Sequence, residues 1–248
     1  IHGISDAKVN YNIFNITVDI ETSCSPCPSV HELYFVRFDK NIIKDNPKVN
    51  IDYNSINKLD CDSNAVYKPI IYLYPNKDME INVKVGKPEY LTTTYPKYNN
   101  GWKVRADKNG NLIDEKGRSY YALYWEGKNT SLDGMKDEGF VIKGNESSSF
   151  LEEKLALLGL NEREANEFIM YWLPKLEYNK YNYIRFATIE EINDNMPLVV
   201  EPKPDNIIRV MMIYKPLNEF ILVKEQKLDE VSKRNGFTVV EWGGTELQ

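Results

Sequence analysis

Apolar positions change their rhythm twice along this chain. In the segment 9–38, NIFNITVDIE places Phe14, Ile16, Val18 and Ile20 in strict alternation with polar residues, which predicts a strand with one buried face. HELYFVRFD supplies a second such run, and ETSCSPCPSV between the two, with Pro26 and Pro28, reads as a loop. Residues 39–66 are polar and Asn-rich and have no period. They predict a linker or long surface loop, which sets a boundary between an N-terminal β segment, 1–66, and a main domain, 67–248.

From Tyr67 the strand signals sharpen. YKPIIYLYP is a short apolar strand closed by Pro75, and MEINVKVG puts Met79, Ile81, Val83 and Val85 on one face. YLTTTYP follows, then a meander through residues 101–127 whose turns fall at Asn109-Gly110 and Lys116-Gly117, and GFVIKG at 139–144. The period then becomes helical. Ser149 and Glu152 have capping-box spacing ahead of FLEEKLALLGL. Asn161 is placed to cap a second helix whose first turn holds Glu162 and Glu164. Ala165, Phe168, Ile169, Trp172 and Leu176 form its apolar stripe, which packs on a sheet, and Pro174 should kink or end it. The Leu-Gly-Leu link between the two predicts a helical hairpin over about 149–178, and Thr188 with Glu191 predicts a third, brief helix. Strands return in IIRVMMIYK, FILVKEQ and GFTVVEWGG. Strands, then helices, then strands give an α+β fold, a mostly antiparallel sheet or sandwich with an inserted helical hairpin.

Six stretches of this pattern carry a resemblance. They are KPIIYLYP (68–75), GW-x-V-x-A with NGNL (101–112), YALYWEG (121–127), LEEKLALLGLNEREANEFI-x-YWLP (151–174), NYIRFAT (182–188) and GFTVVEWGG (236–244). Together they resemble an uncharacterised conserved family of microbial proteins with no assigned reaction, ligand or catalytic residues. The resemblance covers about residues 67–247 and implies a folded unit with defined edges.

Composition narrows the chemistry. Of 248 residues 42% are hydrophobic, enough for a sizeable core, and the net charge of −6 comes with no Lys/Arg block, so nucleic acid is not an expected partner. No stretch approaches the roughly 20 apolar residues of a membrane-spanning helix. The chain starts at Ile1, not at Met, so the lack of a leader says nothing of location. There is no G-x-S-x-G, P-loop, G-x-G-x-x-G or HExxH motif, and no cofactor is expected. The two histidines, His2 and His31, lie in the N-terminal part, which makes a Ser-His-Asp site hard to build in the main domain.

Two Glu-Trp pairs stand out. Glu126 follows Trp125 and Glu241 precedes Trp242, each inside an apolar run and before glycine. Glycosidases need two carboxylates roughly 5–9 Å apart across a sugar. Alternation offers a plainer reading, with a buried Trp, a neighbouring Glu facing solvent or binding a strand-end backbone amide, and glycines marking the strand's exit. Cys24, Cys27 and Cys61 admit a disulfide from Cys61 to either of the others, free thiols, or, with His31, a tetrahedral zinc site. A bridge would stabilise by about 3–4 kcal/mol. Asp107, Asn109 and Asn111 mimic the start of a calcium loop, but Leu112 and Arg118 stand where its Gly and Glu belong, so a hairpin turn is expected. The functional expectation is a non-enzymatic, extracellular or surface-associated protein of binding or structural role. Its glycan or protein partner would dock on an aromatic β surface of Trp102, Tyr124, Trp125 and Trp242. The alternative is a carboxylate-dependent glycan hydrolase using Glu126 and Glu241.

Overall fold

The structure, a computed structural model, describes residues 3–10, 13–21, 48–56, 66–128, 132, 134–231 and 233–247. The chain divides into two units, Ile1–Cys61 and Asp62–Gln248. In the first, β1 (Gly3–Asn10) pairs antiparallel with β2 (Ile13–Glu21), and β2 pairs parallel with β3 (Lys48–Ile56). The strand expected from the alternation of Phe14 to Ile20 is β2. β3 corrects the linker reading of 39–66. Its Val49, Ile51 and Tyr53 keep period 2, a signal masked by the surrounding asparagines. The run HELYFVRFD lies outside the described residues, as do Cys24, Cys27, His31 and Cys61 with their disulfide and zinc readings.

The second unit is α+β. Its strands begin with β4 (Tyr67–Tyr74), β5 (Met79–Val85), β6 (Leu91–Tyr95), β7 (Trp102–Ala106), β8 (Leu112–Asp114), β9 (Ser119–Tyr120), β10 (Leu123–Gly127) and β11 (Glu138–Lys143). The helical pair α1 (Ser147–Leu157) and α2 (Glu162–Leu176) follows. Then come β12 (Tyr181–Phe186), α3 (Ile189–Asn195), β13 (Leu198–Glu201), β14 (Asn206–Leu217), β15 (Lys224–Glu225) and β16 (Thr238–Glu246). Eight strands form one mixed sheet in the order β15-β11-β12-β14-β16-β4-β10-β6, and five form an antiparallel sheet, β13-β5-β7-β8-β9. The expected antiparallel character holds in the smaller sheet. In the larger one β14–β16 and β11–β15 run parallel.

Burial on both faces of the large sheet defines the layers. Val210, Met212, Val240 and Trp242 face the helices and pack with Leu151, Leu155, Phe168 and Trp172. Their neighbours Met211, Ile213 and Val239 face the small sheet and pack with Ile81, Val83, Trp102 and Val104. The helical stripe is thus core, as its amphipathic spacing requires. Asn161 caps α2 as expected. Its side chain accepts from the Glu164 amide at 3.0 Å, and the Glu164 carboxylate accepts from the Asn161 amide at 2.9 Å. Gly159 turns between the helices at φ +87°. Pro174 sits in the last turn of α2, two residues before its end. The Ser149–Glu152 spacing, by contrast, falls inside α1. That helix starts at Ser147 out of a 3₁₀ turn, Gly144–Glu146, whose Glu146 reaches back to the Lys143 amide. The Asn109-Gly110 turn closes the β7–β8 hairpin, with Asp107 Oδ1 accepting from the amides of Asn109 and Asn111.

Candidate functional site

The sheet register separates the two glutamates of the Glu-Trp pairs. Leu123 and Glu241 both pair with Ile71, and cross-strand partners share a face. Trp125, two residues beyond Leu123, lies on that face too, and its Nε1 donates to Glu241 Oε1 at 2.9 Å. Glu126 alternates with Trp125 and lies on the opposite, helix-facing side with Tyr124. A sheet therefore stands between Glu126 and Glu241, so the carboxylate pair of a glycosidase is not formed. Nor does Glu241 face solvent. It is fully buried, and Arg209 Nε donates to its Oε2 at 2.6 Å. The glycines after Trp242 do not end the strand, because β16 continues to Glu246. Gly244 instead lets Trp172 close on the sheet, since a Cβ there would meet Trp172 Cζ2 at 2.9 Å.

The tryptophans expected to form a binding face are core residues. Trp102 and Trp125 are buried between the sheets, and Trp242 is buried under α2 against Phe168. Trp102 Nε1 donates to the Pro96 carbonyl at 2.8 Å. Buried indoles cannot stack on a ligand. Of the expected surface only Tyr124 remains half-buried, and it lines a cleft that the sequence reading did not assemble.

That cleft measures about 560 Å³, within the range of small-molecule sites. Tyr95, Tyr120, Tyr121, Tyr124 and Tyr171 line it with Lys68, Ile70, Ser119 and Ala122. β10 and the end of β6 supply Tyr124 and Tyr95, β9 supplies Tyr120, and α2 supplies Tyr171 across the gap. Tyr95 and Tyr121 are each about half exposed. Tyr95 and Tyr120 meet edge to face at 5.5 Å, and Arg118 Nη2 donates to the Tyr95 hydroxyl at 2.8 Å. A signal existed. In SYYALY the tyrosines fall on both parities across a break between β9 and β10, so one of the adjacent pair must face out. Tyr171 sits on the shoulder of the α2 stripe, beside Trp172, where a helix turns from core to solvent.

The Tyr124 and Tyr171 phenols are held neutral. Burial raises the Tyr124 hydroxyl above its ordinary range, and its hydrogen bond to Glu126 and the charge of Glu126 add to the effect. Burial, then the Glu126 charge, pushes Tyr171 up to about 12. Beneath the cleft Tyr72, almost fully buried, is raised most by burial and next by its 2.7 Å hydrogen bond to Glu167. A raised phenol stabilises the fold below the unfolded value near 10, and that stability is lost as pH climbs above it. Tyr72→Phe should therefore reduce the loss of unfolding free energy between pH 10 and 11 by about 1 kcal/mol, read from urea unfolding at the two pH values. An unchanged loss would show that Tyr72 ionises in the folded protein.

Among the described residues no helix is long and apolar enough to cross a membrane. No protein-family model matches the chain, and no solved structure matches it. Over 63 residues the chain is 41% identical to an uncharacterized protein in the bglA 3′ region of Butyrivibrio fibrisolvens, a match that takes in 24% of this chain. The chain spans 65% of the length of that curated relative. This partial match to a bacterial protein is consistent with the resemblance to microbial proteins of no assigned activity.

Proposed function

We propose that the protein is a non-enzymatic binding module whose tyrosine cleft takes a glycan chain. One observation carries this reading: five tyrosines, from three strands, the β9–β10 link and a helix, converge on one open cleft. A tyrosine ring offers a flat apolar face to the C–H side of a pyranose, and its neutral hydroxyl can donate to or accept from sugar hydroxyls. No carboxylate is among the lining residues of the cleft, so the geometry favours binding over hydrolysis.

The test is a panel of soluble neutral and acidic glycans followed by calorimetry on those that bind. Tyr95→Ala and Tyr121→Ala truncate half-exposed rings and should leave the fold intact. Each is expected to weaken binding roughly tenfold, as loss of a central aromatic contact does. No reducing ends should appear on prolonged incubation. Full affinity in both variants, or release of reducing ends that Glu126→Gln abolishes, would overturn the proposal.

A further inference from the structure

Every ring on the cleft's outer wall lies against a cation. Lys68 Nζ is 4.7 Å from the Tyr171 ring centre, with Lys175 at 5.1 Å on the same ring. Arg118 lies 5.8 Å from both Tyr95 and Tyr120, and Arg163 lies 5.2 Å from Tyr121. This cationic rim belongs to a chain whose net charge is −6. The acids nearby are engaged within the protein. Glu167 accepts from Tyr72 and Arg163, Asp114 accepts from Tyr120 and from backbone amides, and Glu126 is hydrogen-bonded with Tyr124. Among the described residues no carboxylate comes within 4.0 Å of Lys68 or Arg118. Lys68 lies against the Tyr171 ring, and Arg118 lies against the Tyr95 and Tyr120 rings and donates to the Tyr95 hydroxyl.

Resting on the glycan reading of the cleft, we infer that its ligand is an acidic glycan, a chain of uronate residues whose carboxylates meet Lys68 and Arg118 while the sugar rings stack on the tyrosines. Lys68, on β4, lines the cleft beside Tyr171, and Arg118 lies outside the lining, against the rings of Tyr95 and Tyr120. A neutral sugar would leave both unmatched. A chain with an acid on successive rings presents charges at intervals along one axis, so it offers a carboxylate to each cation. Arginine and lysine donate charge-assisted hydrogen bonds to such carboxylates.

The test uses the full chain and two polymers with one backbone, polygalacturonate and its fully methyl-esterified form, measured by calorimetry. The acid form should bind about tenfold more tightly than the ester at low salt, the gain from one net charge-assisted contact. About 0.5 M sodium chloride should remove most of that difference. Lys68→Gln with Arg118→Gln should abolish it, so that within the double variant acid and ester bind equally. Equal binding of acid and ester sinks the charge inference and leaves the cleft reading standing. Binding of neither polymer also sinks it, and the cleft reading is then decided by the Tyr95 and Tyr121 variants on neutral glycans. Tight binding of the acid that survives the tyrosine truncations places it elsewhere on the surface and overturns both.

Discussion

Arg209→Met is expected to lower the unfolding free energy of the second unit by about 3–5 kcal/mol. Arg209 and Glu241 are direct partners in the parallel β14–β16 register, with side chains 1% and 0% exposed. Each polar atom of the pair is used. Glu241 accepts from Arg209 and from the Trp125 indole, while Arg209 also donates to Asn193 Oδ1 and the Met196 carbonyl, both at 2.8 Å. The pair therefore ties α3 and its C-terminal cap to the large sheet. Methionine fills the volume but leaves a carboxylate in the interior with one indole donor. Glu241→Gln should cost a similar amount by stranding the guanidinium. Arg209→Met combined with Glu241→Leu should recover part of the loss, since it removes both buried charges while leaving the Trp125 indole and the Met196 carbonyl without their partners. Urea unfolding followed by tryptophan fluorescence reads this cleanly, because all four tryptophans lie in the second unit. Single losses under about 1.5 kcal/mol, or a double variant as unstable as either single, would show that the pair is not a closed buried unit.

That pair also marks where local pattern stops informing. IIRVMMIYK and GFTVVEWGG are apolar on both parities, the mark of a strand covered on both faces. Each carries one charge in its middle, of opposite sign. Period-2 reasoning assumes one wet face, and it sends Glu241 outward. With both faces covered the charge has no water to reach, and two lone opposite charges in two such strands are natural partners. Register was still needed to join them, because parallel pairing is specified by long-range packing and has no turn to announce it. The helical pair was legible for the converse reason. Asn161, Glu164, Gly159 and the stripe from Ala165 to Leu176 act within a few residues of one another. The cleft fell between these cases. Tyr124 stood in the expected set, but Lys68, Tyr95, the adjacent Tyr120 and Tyr121, and Tyr171 come from four separate segments that only the tertiary fold brings together.

Gly144→Ala should cost about 3 kcal/mol or more, although nothing in the sequence singles this glycine out. It reads as the end of strand GFVIK, a place where alanine is ordinarily harmless. In the fold it lies buried at the entry to α1, against the exit of α2. A Cβ there would run into the Asn179 carbonyl oxygen and would meet that of Glu177 at 2.6 Å and that of Leu176 at 2.8 Å. All three are backbone atoms, and they belong to the segment that the Asn182 and Asn179 side chains pin at the end of α2. Asn182 Nδ2 donates to the Leu176 carbonyl at 2.9 Å, and Asn179 Nδ2 donates to the Lys175 carbonyl at 2.8 Å. The methyl group can be admitted only by moving one helix of the pair. Gly117 provides the contrast. Its φ of +81° makes any side chain unfavourable there, yet a Cβ would meet nothing within 4 Å. Gly117→Ala should therefore cost only the left-handed strain, about 1–2 kcal/mol. Backbone conformation alone would rank these two substitutions in the opposite order. If unfolding in urea finds Gly117→Ala the more damaging, α1 and α2 are not clamped end to end at this point.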